Sequence, residues 1–512
     1  MKSIKNITSK ALLVILDGFG LTENDHKNAI KAANTPHLDS YFKDYPFTRI
    51  EAGGQKVGLP KGVVGNSEVG HMNLGAGRPV RQDLVRINES IEEGNFSNTP
   101  LLKELIHKAS TGSKRIHIMG LLSDGGVHSH IDHIKEVFKA ISKEAELKIF
   151  FHAFMDGRDT ARDSGLKYVA EILDEKNFHF ASMQGRSIGM DRDRRWEKIE
   201  SCYKTITGRG EINSSKPLSY LKSQYEKEIY DEFIEPVLFD SEFAIREEDC
   251  CFMINFRPDR AIELTLALTD PSFNEFPREV IPSYYLCMTP YVPDEVELPI
   301  LFNKERVPGG ISEYLSSLGH SQFKIAETEK YAHITFFFNG GEKKPFPKEE
   351  QFLVPSPKEV STYDQKPEMA APEVLKQLKA ELQKGEHTFY LVNFANSDMV
   401  GHTGNFEAAV KAIETLDHCV EELVKTCAKE NILMFITADH GNSDQMVYPD
   451  GTPHTSHTGS LVPFCAIHPL LKNESFEAAP SGEAALMDVS PTILYALGIE
   501  FPPLFEGSSI FK

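Results

Sequence analysis

The chain has 512 residues, 40% hydrophobic and 25% charged, an ordinary globular balance with room for two or more domains. Fifty-five basic residues against 75 acidic ones leave a formal charge of −20, which excludes a nucleic-acid backbone or an anionic membrane surface as the natural partner. An anionic small-molecule substrate would need positive charge gathered locally.

The first apolar run, Ala11 to Leu16, is too short to span a bilayer, and no small-residue cleavage site follows it. A cytoplasmic chain is expected. The run reads as a buried strand ending at Asp17-Gly18, a pair that by itself could be a simple turn. The glycine-rich stretch Gly65-Asn66-Ser67-Glu68-Val69-Gly70-His71 follows. Ser67 reads either as a helix-cap serine or as a nucleophile, and a nucleophilic hydroxyl needs a partnered base or a bound cation. Gly75–Pro79 reads as a hinge.

Pro100–Lys108 predicts a helix with proline in its first turn and Asn98-Thr99 as its cap. Ile116–Leu122 predicts a strand leading to His128, a candidate general acid–base, with His130 and His133 as nearby alternatives. Ile149–Met155 predicts the strand before Asp156-Gly157-Arg158-Asp159, and Cys251–Ile254 the one before Asn255. Arg186 and Arg192 lie between them, and Arg257 and Arg260 follow in NFRPDRA. An arginine fork grips phosphate or carboxylate with two hydrogen bonds, although any single arginine could be a solvated surface group.

Val307–Gly310 reads as a second hinge, and Lys330 as a point charge suited to a phosphoryl oxygen. Val374–Lys384 and Glu407–Glu430 carry apolar residues at helical spacing. The strands Phe389–Phe394 and Leu433–Thr437 deliver Asp398 with His402, and Asp439 with His440. His457 comes later, with His454 as a supporting loop contact. Aspartate and histidine without cysteine form the ligand set of a divalent ion such as manganese, cobalt, zinc or magnesium. The seven cysteines form no CxxC pair and are expected to be free thiols in a reducing compartment. Strands alternating with helices give an α/β fold with mostly parallel sheets and ligands beyond the carboxyl ends of the strands.

Taken in order, LDGFG, GNSEVGH, GLLSDGGVHSH, HAFMDGRDT, MDRDRRW, NFRPDRA, AETEKYAH, NFANSDMVGHTG, TADHGN and HTSHTGSLVPF resemble the cofactor-independent phosphoglycerate mutases of the alkaline phosphatase superfamily. These motifs run from about Leu13 to Pro463. The resemblance implies an alkaline-phosphatase-like metal domain over residues 1–79 and 311–512, with an α/β transferase domain, 80–310, inserted in it. It implies two divalent ions, usually manganese, one held by Asp17, Ser67, Asp439 and His440 and the other by Asp398, His402 and His457. Ser67 would carry the phosphoryl group. His128, Arg158, Asp159, Arg186, Arg192, Arg257, Arg260 and Lys330 would bind or process the substrate, with His128, Asp159 and Lys330 taking part in catalysis. The implied reaction interconverts 2- and 3-phosphoglycerate in a monomeric cytoplasmic enzyme. Competing readings are a phosphatase or phosphopentomutase of the same superfamily, and a metal-dependent binding protein without turnover. Ser187-Ile188-Gly189 departs from the family, which often has aromatic residues there, and looser packing is expected at that point.

Overall fold

A computed structural model of the chain describes residues 3–144, 146–292, 296–303, 306–474 and 477–511. The chain forms two compact units, Met1–Gln82 with Glu305–Lys512, and Asp83–Lys304. In chain order the first unit takes β1 (Ala11–Leu16) and β2 (Phe47–Ile50). The second takes β3 (Arg115–Leu122), β4 (Lys148–Met155), β5 (Phe178–Gly185), β6 (Glu211–Ile212), β7 (Val237–Leu238), β8 (Cys250–Met253) and β9 (Tyr284–Cys287). The first unit then receives β10 (Gln322–Glu327), β11 (Glu349–Val354), β12 (Phe389–Phe394), β13 (Leu433–Thr437) and β14 (Val462–Ile467).

The sheet of the first unit runs β11-β10-β12-β1-β13-β14-β2. Its members from β11 to β13 are parallel, and β14 and β2 are antiparallel additions. The central strands β12, β1 and β13 are buried along their whole length, which is why they read as unbroken apolar runs. The sheet of the second unit runs β6-β7-β5-β4-β3-β8-β9, parallel from β5 to β9. Parallel neighbours end on the same edge of a sheet. Each sheet therefore brings residues that are distant in sequence together beyond its carboxyl ends.

The apolar-faced segments are helices at Pro100–Thr111, Ala371–Lys384 and Phe406–Glu430. Thr99 does not cap the first of these with its side chain; its hydroxyl donates to the Phe96 carbonyl at 2.9 Å instead. Gly75 and Ala76 belong to a helix, Ser67–Ala76, which ends in a left-handed cap at Gly77. The amide of Val307 donates to the Gly340 carbonyl at 2.8 Å, so both glycine–proline stretches are built into the first unit. The region of Ser187-Ile188-Gly189 is tightly packed, contrary to expectation. A Cβ on Gly189 would lie 2.7 Å from the Phe154 ring, and Ile188 is buried. All seven cysteines are free and buried. Among the described residues no helix is long and apolar enough to cross a membrane.

The core of the second unit contains a polar chain. Asp249 accepts from Arg115 Nε at 3.0 Å and pairs with His117 Nε2 at 2.9 Å. His117 Nδ1 meets His152 Nε2 at 2.9 Å, and His152 Nδ1 meets Ser182 Oγ at 2.8 Å. Burial holds both imidazoles below their ordinary range, and it pushes His133 down to about 3. A histidine that is neutral when folded and protonated when unfolded adds stability above its unfolded value near 6.5, and that stability is lost as the pH falls below it. His133 alone accounts for roughly 2 kcal/mol between about pH 7 and about pH 5. Trp196 is the only tryptophan and lies in this unit, edge-on to Phe273. Its fluorescence in urea should show a lower unfolding midpoint at about pH 5 than at about pH 7. Asp231 in the same unit, pushed up to about 6 by burial, works against this shift, so the check is His133→Gln: a pH-dependent midpoint difference no smaller than that of the wild type would mean that His133 is not held neutral.

Candidate metal centre and anion-binding cluster

Four strand ends build the first centre. Asp17 follows β1 directly, and Asp439 and His440 follow β13 after a single residue. A short helix after β12, Asn396–Gly401, carries Asp398 and sets His402 one turn further on the same side. Another after β10, Thr328–Ala332, carries Lys330. Ser67 opens the helix Ser67–Ala76. Asn66 caps that helix by accepting from the Val69 amide at 3.0 Å, so the Ser67 hydroxyl is spared capping. The helix approaches Asp439 so closely that a Cβ on Gly70 would lie 2.7 Å from Asp439 Cβ, which leaves room for glycine alone.

The Ser67 hydroxyl lies 2.8 Å from His440 Nε2, and Lys330 Nζ donates to Ser67 Oγ at 2.7 Å. The same ammonium donates to Asp17 Oδ1 and to Asp398 Oδ2, both at 2.7 Å. His402 Nε2 and His457 Nε2 lie 3.1 and 3.3 Å from Asp398 Oδ1. Each of these imidazoles turns Nδ1 toward a backbone carbonyl, His402 to Thr455, His457 to Gly65 and His440 to Gly441. That leaves Nε2 facing inward, the usual orientation of a metal-ligating histidine.

Electrostatics favour a cation here. Asp17, Asp398 and Asp439 are buried against a single ammonium, which leaves net negative charge out of water. Burial pushes Asp17 up, with Asp439 adding to the rise. Burial acts the same way on Asp398, but Lys330, His402 and His457 outweigh it and hold that carboxyl well below its ordinary range. Burial would lower Lys330, yet the surrounding carboxylates keep it firmly protonated. Asp439 Oδ2 is buried with no hydrogen-bond donor aimed at it. Ligand atoms of Asp398, His440 and His457 lie within 4.8 Å of one another, as do those of Asp17, His71 and Asp439. An orphaned carboxylate oxygen, excess negative charge and an O/N donor set all fit a divalent ion.

Sequence reasoning singled out neither His71 nor Asn393, both wholly buried at this centre, nor Asn442, which donates to Asp398 Oδ1 at 2.8 Å. The four-residue step from Ser67 to His71 was the available signal, once that segment is known to be helical. His454 is not part of the cluster; it packs against the Tyr448 ring.

The second unit gathers the other named residues at the carboxyl edge of its own sheet. His128 follows β3, Arg158 and Asp159 follow β4, Arg186 follows β5, and Arg257 and Arg260 follow β8. Arg186 is buried and donates to Asp156 Oδ1 at 2.7 Å and to Asp159 Oδ2 at 2.5 Å. Arg260 is also buried and donates to the Met190 carbonyl at 3.0 Å. Arg158, Arg192 and Arg257 are 56%, 43% and 51% exposed, so their forks are open to a ligand. Asp259, an unforeseen organiser, accepts from Arg192 at 3.0 Å and Arg257 at 3.2 Å and stands 3.6 Å from His128 Nδ1. Burial, followed by the charge of Arg186, pushes His128 down to about 4, so it is neutral at neutral pH. Lys330 belongs to the first unit, where it joins the carboxylate centre.

The Metalloenzyme superfamily model matches residues 9–501. The 2,3-bisphosphoglycerate-independent phosphoglycerate mutase of Clostridium novyi (strain NT) is 44% identical over 514 residues, covering 98% of this chain and 99% of that one. The enzyme of the same name from Moorella thermoacetica is 41% identical and covers 98% of each chain. The crystal structure of Leishmania mexicana phosphoglycerate mutase at low cobalt concentration is 30% identical with a TM-score of 0.67, covering 98% of this chain and 97% of that one. Similarity of this extent spans both units and every strand end described above. The chain is a metalloenzyme and belongs to the 2,3-bisphosphoglycerate-independent phosphoglycerate mutases.

Proposed function

We propose that the chain interconverts 2-phosphoglycerate and 3-phosphoglycerate through a phosphoserine on Ser67. The observation that carries this reading is the setting of the Ser67 hydroxyl, held between His440 Nε2 and the Lys330 ammonium at a buried carboxylate cluster. Asp17, Ser67, Asp439 and His440 would hold one divalent ion, and Asp398, His402 and His457 the other, with manganese proposed for both. When bound, such ions lower the pKa of an attached oxygen and offset charge on phosphoryl oxygens.

The Lys330 N–H donates to Ser67 Oγ and so favours that oxygen without its proton. The Ser67 Oγ–P bond forms as the bond from phosphorus to the substrate oxygen breaks; the proton that Ser67 Oγ gives up is matched by the one the departing glycerate oxygen takes, and glycerate is released within the enzyme with that hydroxyl restored. Open arginine forks in the second unit grip its carboxylate with paired hydrogen bonds and retain it. Neutral His128 and the Asp159 carboxylate can accept and return the hydroxyl protons of glycerate. The other glycerate hydroxyl then takes the phosphoryl group back, and the Ser67 hydroxyl is restored.

Quenching the enzyme during turnover and mapping its peptides by mass spectrometry should show phosphate on Ser67 alone. Isomer exchange should proceed without inorganic phosphate appearing and without added bisphosphoglycerate. Steady phosphate release without isomer exchange would mean a phosphatase instead.

A further inference from the structure

His71 and Asn393 have no part in the chemistry proposed above, yet both are fully buried at its centre. Asn393 lies on β12 in register with Ile15 of β1, two residues before Asp17. Its amide Nδ2 donates to Asp17 Oδ2 at 2.7 Å and faces His71 Nε2 at 2.9 Å. Those two acceptors fix the amide's orientation, because the flipped form would set its oxygen against a carboxylate.

An imidazole that accepts at Nε2 and is neutral carries its proton on Nδ1. His71 Nδ1–H donates to the Ser67 carbonyl at 2.8 Å, and the same nitrogen stands 3.2 Å from Asp439 Oδ2. The one proton on that nitrogen points at the carbonyl. Asp439 Oδ2 is therefore steered but not satisfied, and stays available to a cation. Two side chains thus touch Asp17, Asp439 and the first turn carrying Ser67. A lysine or arginine in the same place would quench the carboxylates and compete with the ion.

We infer that His71 and Asn393 are positioning residues, a strut that holds Asp17, Asp439 and Ser67 in place for a divalent cation and so sets metal affinity. This rests on the reading of those three residues as metal ligands.

The experiment uses the full chain, stripped of metal and titrated with manganese(II), with bound metal read by equilibrium dialysis and elemental analysis. Asn393→Leu and His71→Leu should each weaken manganese binding by roughly 10- to 100-fold. Their kcat should return to within a few-fold of wild type at saturating manganese. His71→Asn puts an amide N–H where Nδ1 lies, and it should recover most of the affinity that His71→Leu loses. Urea unfolding of the stripped proteins identifies which variants fold; should His71→Leu not fold, Asn393→Leu and His71→Asn decide the matter, both binding more weakly than wild type. Folded variants with wild-type manganese affinity overturn the strut. So does a kcat that stays depressed at saturating manganese, which would place these residues in the chemistry itself. A wild-type chain that binds no manganese overturns the ligand assignment beneath the strut rather than the strut alone.

Discussion

Ser67→Ala should lower the rate of isomer exchange by on the order of 10⁴-fold or more, to the background of the assay. Among the described residues no second hydroxyl shares the hydrogen bonds that Ser67 Oγ makes with Lys330 and His440, so none is placed to take over as phosphoryl acceptor. The loss should fall on kcat, because the arginine forks proposed to grip the substrate belong to the other unit and are unchanged by the substitution. Phosphorus NMR of a 3-phosphoglycerate solution reads the exchange directly, and a folded Ser67→Ala chain still forming 2-phosphoglycerate near the wild-type rate would sink the phosphoserine route. The substitution also deletes a proposed ligand, so metal content has to be measured beside the rate.

Removing divalent metal should be nearly as severe. Chelation followed by desalting is expected to bring exchange to background, and manganese(II) should restore it. The physical cause is visible in the buried charges: among the described residues Asp17 and Asp398 share the ammonium of Lys330, and no hydrogen bond reaches Asp439 Oδ2. A cation that binds only the folded chain also stabilises it, by about 3 to 4 kcal/mol at 100- to 1,000-fold excess over its dissociation constant. The melting temperature of the stripped protein should therefore rise as manganese is returned. Full activity in a chain verified to be metal-free would contradict the proposal, and an unchanged melting temperature would place any bound ion away from this buried cluster.

What the sequence disclosed, and what it did not, follows from geometry. Asp17 and Asp439 were legible because each ends an apolar run, and in a parallel sheet the ends of such runs share one edge. Asn393 was not, because it sits inside a run, in FYLVNF. Its partner became visible only when β12 was found beside β1. His71 was in plain view within GNSEVGH, but its role depends on a helix starting at Ser67 and on Asp439 arriving from more than 350 residues away. Asp259 was hidden among the arginines of NFRPDRA, where attention goes to the cations rather than to the anion that orders them. The stretch Gly75–Pro79 was read for its composition, whereas Gly77 serves there as the left-handed end of a helix. β10 carries Gln322 and a fully buried Lys324, polar residues that mask a strand whose end delivers Lys330.

The seven buried thiols bear on how this protein dies rather than how it works. Burial pushes Cys202 and Cys419 up to about 12, so the folded chain offers oxidants almost no thiolate. Unfolding releases all seven at their ordinary acidity, and none has a partner in the fold to return to. In an oxidising solution each excursion to the open state is then a chance to form a bridge that refolding cannot accommodate. Heat inactivation becomes a one-way process governed by the opening rate, and a reducing agent lengthens the protein's working life without changing the strength of any contact within it.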